Sequence, residues 1–406
     1  MSELEPTTHE TAHATVHETA PKNTIGTNYS ILGVLLLVVG GGLFAATGTS
    51  AGMETMIRSY LYGYMFWCGL TIGCFGLMLL HHTIRARWSR PVLRIWESAC
   101  SPLMLGIQAV AFLPIAMNLN VIYEWMHAEV VAGDKVLQNK AFYLNPTVFY
   151  ITTFGFFAFM IFWSYQLQSL QRKEDATGDK SYADKRANWA PPGLLFFVLL
   201  LNFFYTSVLM SLDPHWFSTI YGVWLMVGFA LAGLAFTGMT VGTQHKRAPF
   251  VGIINEKFTY DIGILTLAFT LLWAYFTFSQ FLITWSGNLP EFTVWFINRS
   301  VQPYSTLAGM GMFAQFLIPF IVLLQPASRR NPAVFAVLGG WVFSVRMFDF
   351  YYVVVPSLHI ASPNPLTIIG GLFAMGGLWL LVFALQYKSR PELVNGSDYQ
   401  LAAHHG

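Results

Sequence analysis

Charge is scarce in this chain. Only 10% of its 406 residues are Asp, Glu, Lys or Arg, against about 25% in an ordinary soluble domain, and that shortage excludes a soluble globular fold. The net charge of +2 excludes the clustered positive excess that nucleic-acid partners require. Cysteine is nearly absent. Cys68, Cys74 and Cys100 form no CxxC pair and no CxxCH haem-attachment motif, so they are expected to be buried thiols, with no covalent haem and no iron–sulfur cluster on this chain. The sequence also lacks GxxxxGK[ST], HExxH and any Gly-rich dinucleotide fingerprint on a strand. Residues 1–28 have neither the basic start nor the short apolar core of a signal peptide and are expected to be a disordered tail. The histidines in that tail, and His404 and His405 at the other end, show no specific metal-ligand spacing.

Apolar and aromatic residues dominate instead: 55% of the chain is hydrophobic, with 35 Phe, 13 Trp and 18 Tyr. A membrane-spanning helix needs about 20 largely apolar residues. Ten stretches qualify: 29–48, 60–83, 98–123, 146–167, 191–212, 216–242, 260–285, 304–325, 333–355 and 366–387. The expected fold is an all-α integral membrane protein with ten transmembrane helices over 29–387, followed by a tail at 388–406. Lys and Arg are retained on the cytoplasmic side of membranes. Here they gather after the second, fourth, sixth and eighth stretches, at Arg85, Arg87, Arg90 and Arg94, at Arg172, Lys173, Lys180, Lys185 and Arg186, at Lys246, Arg247 and Lys257, and at Arg329 and Arg330. Lys22, Lys388 and Arg390 add to this set, so both termini are predicted to be cytoplasmic. Stretches 2–5 and 6–9 correspond weakly, with His81-His82 before Glu97 in one half and His245 before Glu256 and Asp261 in the other. A duplication would give two four-helix bundles flanked by helices 1 and 10; shared composition alone produces similar loops.

An ionisable side chain within a membrane helix costs roughly 2.5–3.5 kcal/mol on insertion scales, which makes each one a functional candidate. Toward the cytoplasmic ends lie His81, His82, Glu97, His245, Glu256 and Asp261; toward the outer side lie Glu124, Asp213, His215, Arg346, Asp349 and His359. Arg346 and Asp349, three apart on one helix, share a face, either as a structural ion pair or as a proton acceptor restrained by its arginine. Asp213-Pro214-His215-Trp216 forms the outer turn between the fifth and sixth stretches, where an Asp and a His can relay a proton or hold a quinol hydroxyl; a capped turn is the plainer reading. The seventh stretch carries Asp261, Thr270, Tyr275, Ser279 and Gln280, a polar run that serves either a proton path or interhelical hydrogen bonds. The His81-His82 pair is expected to anchor at the membrane interface.

Two long runs, residues 211–222 (Ser211-Leu212-Asp213-Pro214-His215-Trp216 and onward) and 273–285 (Trp273-Ala274-Tyr275-Phe276-Thr277-Phe278-Ser279-Gln280 and onward), carry a resemblance. With Asp261-Ile262-Gly263, Tyr143-Leu144-Asn145-Pro146 and His81-His82 through Arg87-Trp88, they make the chain similar, over roughly residues 60–360, to the ActF-type membrane subunit of the alternative complex III family, a bacterial quinol:cytochrome c oxidoreductase. The resemblance implies a ten-helix relative of the NrfD-like quinone-interacting proteins in the bacterial cytoplasmic membrane, built of two four-helix bundles. It implies as partners a homologous NrfD-like membrane subunit, an iron–sulfur subunit, and multihaem and monohaem cytochrome c subunits, which would carry the haems and clusters. Menaquinone, ubiquinone or lipid would be the ligand at hand, with Asp213, His215 and Trp216 as the quinone-side residues, although the sister subunit is the expected site of quinol oxidation. The expected role is support of that subunit and a proton path: Glu97, Glu256 and Asp261 in the cytoplasmic half, Asp213, His215, Arg346 and Asp349 in the outer half, bridged by Thr270, Tyr275, Ser279 and Gln280. A secondary transporter and a purely structural subunit are the alternatives. A transporter is expected to show an inverted repeat with discontinuous helices, whereas the correspondence here is parallel. The segment 388–406 departs from the family pattern.

Overall fold

A computed structural model describes residues 21–86, 88–360, 364–391 and 393–394. The histidines of the N-terminal tail, His404, His405 and Arg87 lie outside the described residues. Among the described residues nine helices are long and apolar enough to cross a membrane: α1 (Ile25–Ile84), α2 (Arg90–Ala116), α3 (Pro146–Thr177), α4 (Ser181–Leu212), α5 (Tyr221–Gly242), α6 (Glu256–Gly287), α7 (Tyr304–Leu324), α8 (Pro332–Leu358) and α9 (Pro365–Lys388). Among them there is no strand beyond one isolated bridge between Lys22 and Ala248. The chain is an all-α, multi-pass membrane protein. Its outward side chains are correspondingly apolar: Val38, Ile151, Phe278 and Val337 are exposed, which suits lipid as solvent.

Local sequence explains where the helices begin. Asn145, Asn331 and Asn364 each precede a proline, and each side chain accepts a hydrogen bond from a backbone N–H of the first turn. Proline at the first helical position loses only an N–H that has no intrahelical partner anyway.

The 60 residues of α1 would reach about 90 Å if straight, three times the hydrocarbon core. Gly52, at φ 85° and ψ 159°, breaks it in a region of backbone space that only glycine occupies without strain. The two arms run in opposite directions along α9. Positions 33 and 40 of the first arm approach Leu381 and Phe373, an antiparallel register. On the second arm Trp67 Nε1 donates to Leu372 O at 2.9 Å, and Thr71 Oγ1 accepts from Trp379 Nε1 at 2.8 Å, a parallel register. The apolar stretches 29–48 and 60–83 therefore lie one on each arm. Contact with α9 is so close that a Cβ on Gly377 would stand 2.3 Å from Leu37 N. Small residues at such seams let van der Waals packing hold helices together where lipid offers no hydrophobic drive.

The second arm of α1 and α5 lie side by side and parallel, with position 73 against Phe229 and position 233 against Leu77. An aromatic core of Phe66, Phe229, Phe236, Phe343, Phe350 and Trp379 fills the centre. α8 runs antiparallel to α5, placing Phe335 by position 238 and Arg346 by position 228. α7 opens into a π-helical turn over Gly311–Leu317.

The connections sort to two ends. One end gathers 21–24, which pairs with Ala248, Arg85 with Asp184, Arg94 with Asp175, and Thr259 with Arg330 O. The other gathers Arg58 with His359 O, Lys140 with Pro214 O and His215 with Asp134. The cation-rich loops thus share one end. One expected boundary needs correction. Residues 21–28 are folded, with Thr24 N donating to Gln244 Oε1 at 3.0 Å and helix α1 already begun at Ile25. Among the described residues after Lys388, Arg390 donates to Gln168 and Val394 is buried.

Candidate functional site

Among the described residues the ionisable side chains inside the protein gather chiefly in three clusters at three levels. The first, at the cation-rich end, surrounds Glu97, which is wholly buried. Glu97 Oε2 accepts from Arg94 Nη1 at 2.5 Å and lies 3.8 Å from Arg390 Nη1. Arg94 also donates to Asp175 and, through Nε, to Pro391 O at 3.1 Å. Arg390 donates to Gln168 Oε1 at 2.6 Å, and Gln168 Nε2 donates to Glu97 O at 3.1 Å. Glu97 Oε1 has no hydrogen-bond partner. Beside this cluster Arg186 pairs with Glu174. Burial lowers the pKa of Arg390, against the opposing pull of Glu97.

The second cluster is the pair on α8. Arg346 Nη1 donates to Asp349 Oδ2, with the two side chains 1% and 7% exposed, and the guanidinium lies 5.5 Å from the Phe229 ring centre. No charge so deep is tolerated without such a partner.

The third cluster occupies the opposite end. Asp213 accepts from Ser357 Oγ, lies 3.3 Å from His359 Nε2 and stands 3.9 Å from Arg299 Nη2. Burial alone would raise the Asp213 pKa, but hydrogen bonds from His359 and Ser357 and the charge of Arg299 outweigh it and hold the carboxyl below its usual value. His359 is raised in turn, first by its hydrogen bond to Asp213. Arg299 donates to Trp295 O, Tyr352 O, Val353 O and Ser357 Oγ and stacks 3.5 Å over Trp295. Trp295 stacks on Trp216. Burial pushes the Arg299 pKa down to about 10.

The sequence-derived candidates are only partly brought together. Asp213, His215 and Trp216 line one cavity of about 230 Å³, with Glu124, Glu291 and His359. Within it Asp213 and His215 serve different partners, since His215 Nε2 meets Asp134 Oδ2 at 2.5 Å. Three carboxylates and two histidines share this cavity with Pro214, Trp216, Val294 and Trp295, so its wall is part polar and part apolar. Two clefts of about 200 and 380 Å³ share Tyr143, Thr206, Met210 and Phe217, and the smaller also touches Pro214 and Trp216.

On α6 Glu256 is exposed and Asp261 half-buried. Thr270 is buried but donates to Thr266 O on its own helix at 2.8 Å. Gln280 accepts from Ser218 Oγ at 2.5 Å, and Ser279 is half-buried. Tyr275 is 62% exposed and points away from this buried face. His81 and His82 are both buried, His81 Nδ1 lying 2.5 Å from Ser89 Oγ, which corrects the expectation of interfacial anchors. All three cysteines are buried. Among the described residues no group of three or more His, Cys, Asp and Glu side chains is arranged to hold a metal ion.

Sequence reasoning missed Arg94, Asp175, Arg299, Ser357 and Arg390. Arg94 carries a usable signal, because it precedes Glu97 by the same three residues that separate Arg346 from Asp349. Arg299 and Ser357 carry none, since their meeting depends on the tertiary fold.

No protein-family model matches the chain, and a search of curated proteins finds none similar to it.

Proposed function

We propose that this chain is a ten-helix, haem-free subunit of a bacterial quinol:cytochrome c oxidoreductase of the alternative complex III type. Each arm of α1 crosses the cytoplasmic membrane, so both ends of the chain lie on the cytoplasmic side with the cation-rich loops. Helices α2–α4 with the second arm of α1 make one four-helix bundle, α5–α8 the other, and the first arm of α1 and α9 flank them. The subunit supports the quinol-oxidising sister subunit and offers a proton path of two half-channels.

The observation that carries this reading is the placement of ionisable groups at both ends and between: Glu97 with Arg94 and Arg390, buried at the cation-rich end, Arg346 with Asp349, buried inside α8, and the part-exposed Asp213 with His359 at the opposite end. Charged groups in membrane interiors mark ion and proton routes more often than they serve stability. Glu256 and Asp261 would admit protons to the second bundle, and Asp213 and His359 would release them into the cavity they line. The quinol and the haems would sit on or beside partner subunits.

Purification in mild detergent through a tag on this chain tests the assignment. Co-purifying c-type haem and quinol:cytochrome c activity are expected; a lone chain without haem refutes it. Asp349→Asn and Asp261→Asn complexes are expected to move fewer protons per electron, and wild-type ratios in both would remove the proton path. One observation favours a structural role for part of α6: the Thr266 and Thr270 hydroxyls are spent on their own helix.

A further inference from the structure

Four helices place an unsatisfied, buried polar atom at one depth in the molecule. The register between them fixes that depth. Arg346 of α8 lies against position 228 of α5. Trp224 of the same helix donates to Thr277 of α6 at 2.9 Å, so Trp273, one turn before Thr277 on an antiparallel helix, stands level with position 228. On α4 Asn202 lies against position 222 of α5, and from the next turn the Tyr205 ring reaches inward to stack on that of Phe229, the residue after 228. On α7 position 311 faces Asp349, Ala314 O accepts from Trp341 Nε1 at 2.8 Å, and Gln315 shares the face of Gly311 one turn on.

At this level Trp273 Nε1, the Tyr205 hydroxyl, Arg346 Nε and both amide atoms of Gln315 have no hydrogen-bond partner. Yet Trp273 is 2% exposed, Arg346 1%, and Tyr205 and Gln315 not at all. Buried polar groups in folded proteins are nearly always hydrogen bonded, and those without a protein partner are served by ordered water. Two further features mark this level. Position 228 leaves the guanidinium its place, because a Cβ there would stand 2.2 Å from Nη2. Gln315 belongs to the π-helical turn Gly311–Leu317, a conformation that occurs frequently at functional sites.

We infer that this level is a hydrated chamber, a small cluster of ordered waters held by Tyr205, Trp273, Gln315 and Arg346 and opening on the Asp349 carboxylate. The chamber stands on the buried polar atoms alone. Its service as the waiting place of a proton between the two half-channels rests on the proton-path reading.

Radiolytic hydroxyl-radical labelling with mass spectrometry, applied to the full protein in nanodiscs, tests it, because internal water generates radicals beside the side chains it touches. Trp379 is the control: it is 1% exposed, but its Nε1 is satisfied by Thr71 at 2.8 Å. Trp273 and Tyr205 are expected to label about ten-fold faster than Trp379, as groups in contact with bound water. In Gln315→Leu both are expected to fall toward the Trp379 rate, while Gln315→Asn retains them. Equal, slow labelling of Trp273, Tyr205 and Trp379 in the unaltered protein overturns the chamber, a comparison that needs no variant to fold. Fast labelling together with an unchanged proton-to-electron ratio in Asp349→Asn keeps the chamber and refutes the proton path instead.

Discussion

Replacing Arg346 by Met separates two accounts of the pair on α8. The guanidinium is 1% exposed and its partner carboxylate 7%, so removing the cation strands Asp349 as a buried, uncompensated charge. Breaking a buried pair from one side costs about 3–5 kcal/mol, whereas exchanging both partners for apolar residues is often neutral or stabilising. Arg346→Met is therefore expected to lose about 3–5 kcal/mol, and Arg346→Met with Asp349→Leu to recover most of it, a coupling of about 3 kcal/mol. Reversible unfolding in mixed micelles, followed by tryptophan fluorescence, measures all four corners of the cycle. A single variant within about 0.5 kcal/mol of the unaltered protein, or a double variant no better than the singles, refutes the reasoning. Under the proposed function, the double variant should still assemble with its partners and support quinol oxidation while failing in proton movement.

Arg299→Lys should cost about 2–3 kcal/mol in a thermal melt, because an ammonium cannot reproduce a guanidinium that serves three backbone carbonyls, a hydroxyl and a tryptophan face. The Asp213–His359 contact should make stability depend on pH. The raised pKa of His359 stabilises the fold below its unfolded value and ceases to do so as pH rises through the raised value; the lowered pKa of Asp213 stabilises above its unfolded value and fails as pH falls through the lowered one. Melting temperature should thus fall between about pH 6 and pH 8 by the equivalent of at most about 1 kcal/mol, His359 being half-exposed, and His359→Gln should flatten that slope. Arg390→Ala removes the donor to Gln168 and the second cation beside Glu97, with an expected loss of about 1–3 kcal/mol in the same melt.

Much of the architecture is legible in the chain itself. Stretches of apolar residues, Asn-Pro starts and the placement of Lys and Arg mark the helices and the two ends, because each is a local property of the chain and its solvent. The pairing of Arg346 with Asp349 is legible for the same reason: three residues on a helix set the two side chains on one face. The same spacing at Arg94 and Glu97 is masked, since arginines after the second stretch read as loop charges that mark the cytoplasmic side.

Composition and hydropathy alone decide that this chain is helical and belongs in lipid, for a backbone without water to bond to must satisfy itself within each segment. They also decide roughly where each crossing lies. Only the tertiary structure decides that α1 folds back on itself at Gly52, that Arg390 returns from beyond the last helix to stand beside Glu97, and that Arg299, Ser357 and His359 converge on Asp213. Those encounters join residues far apart in sequence. A buried charge is tolerated only where the packed helices bring a partner to it, and no local pattern records which partner that will be.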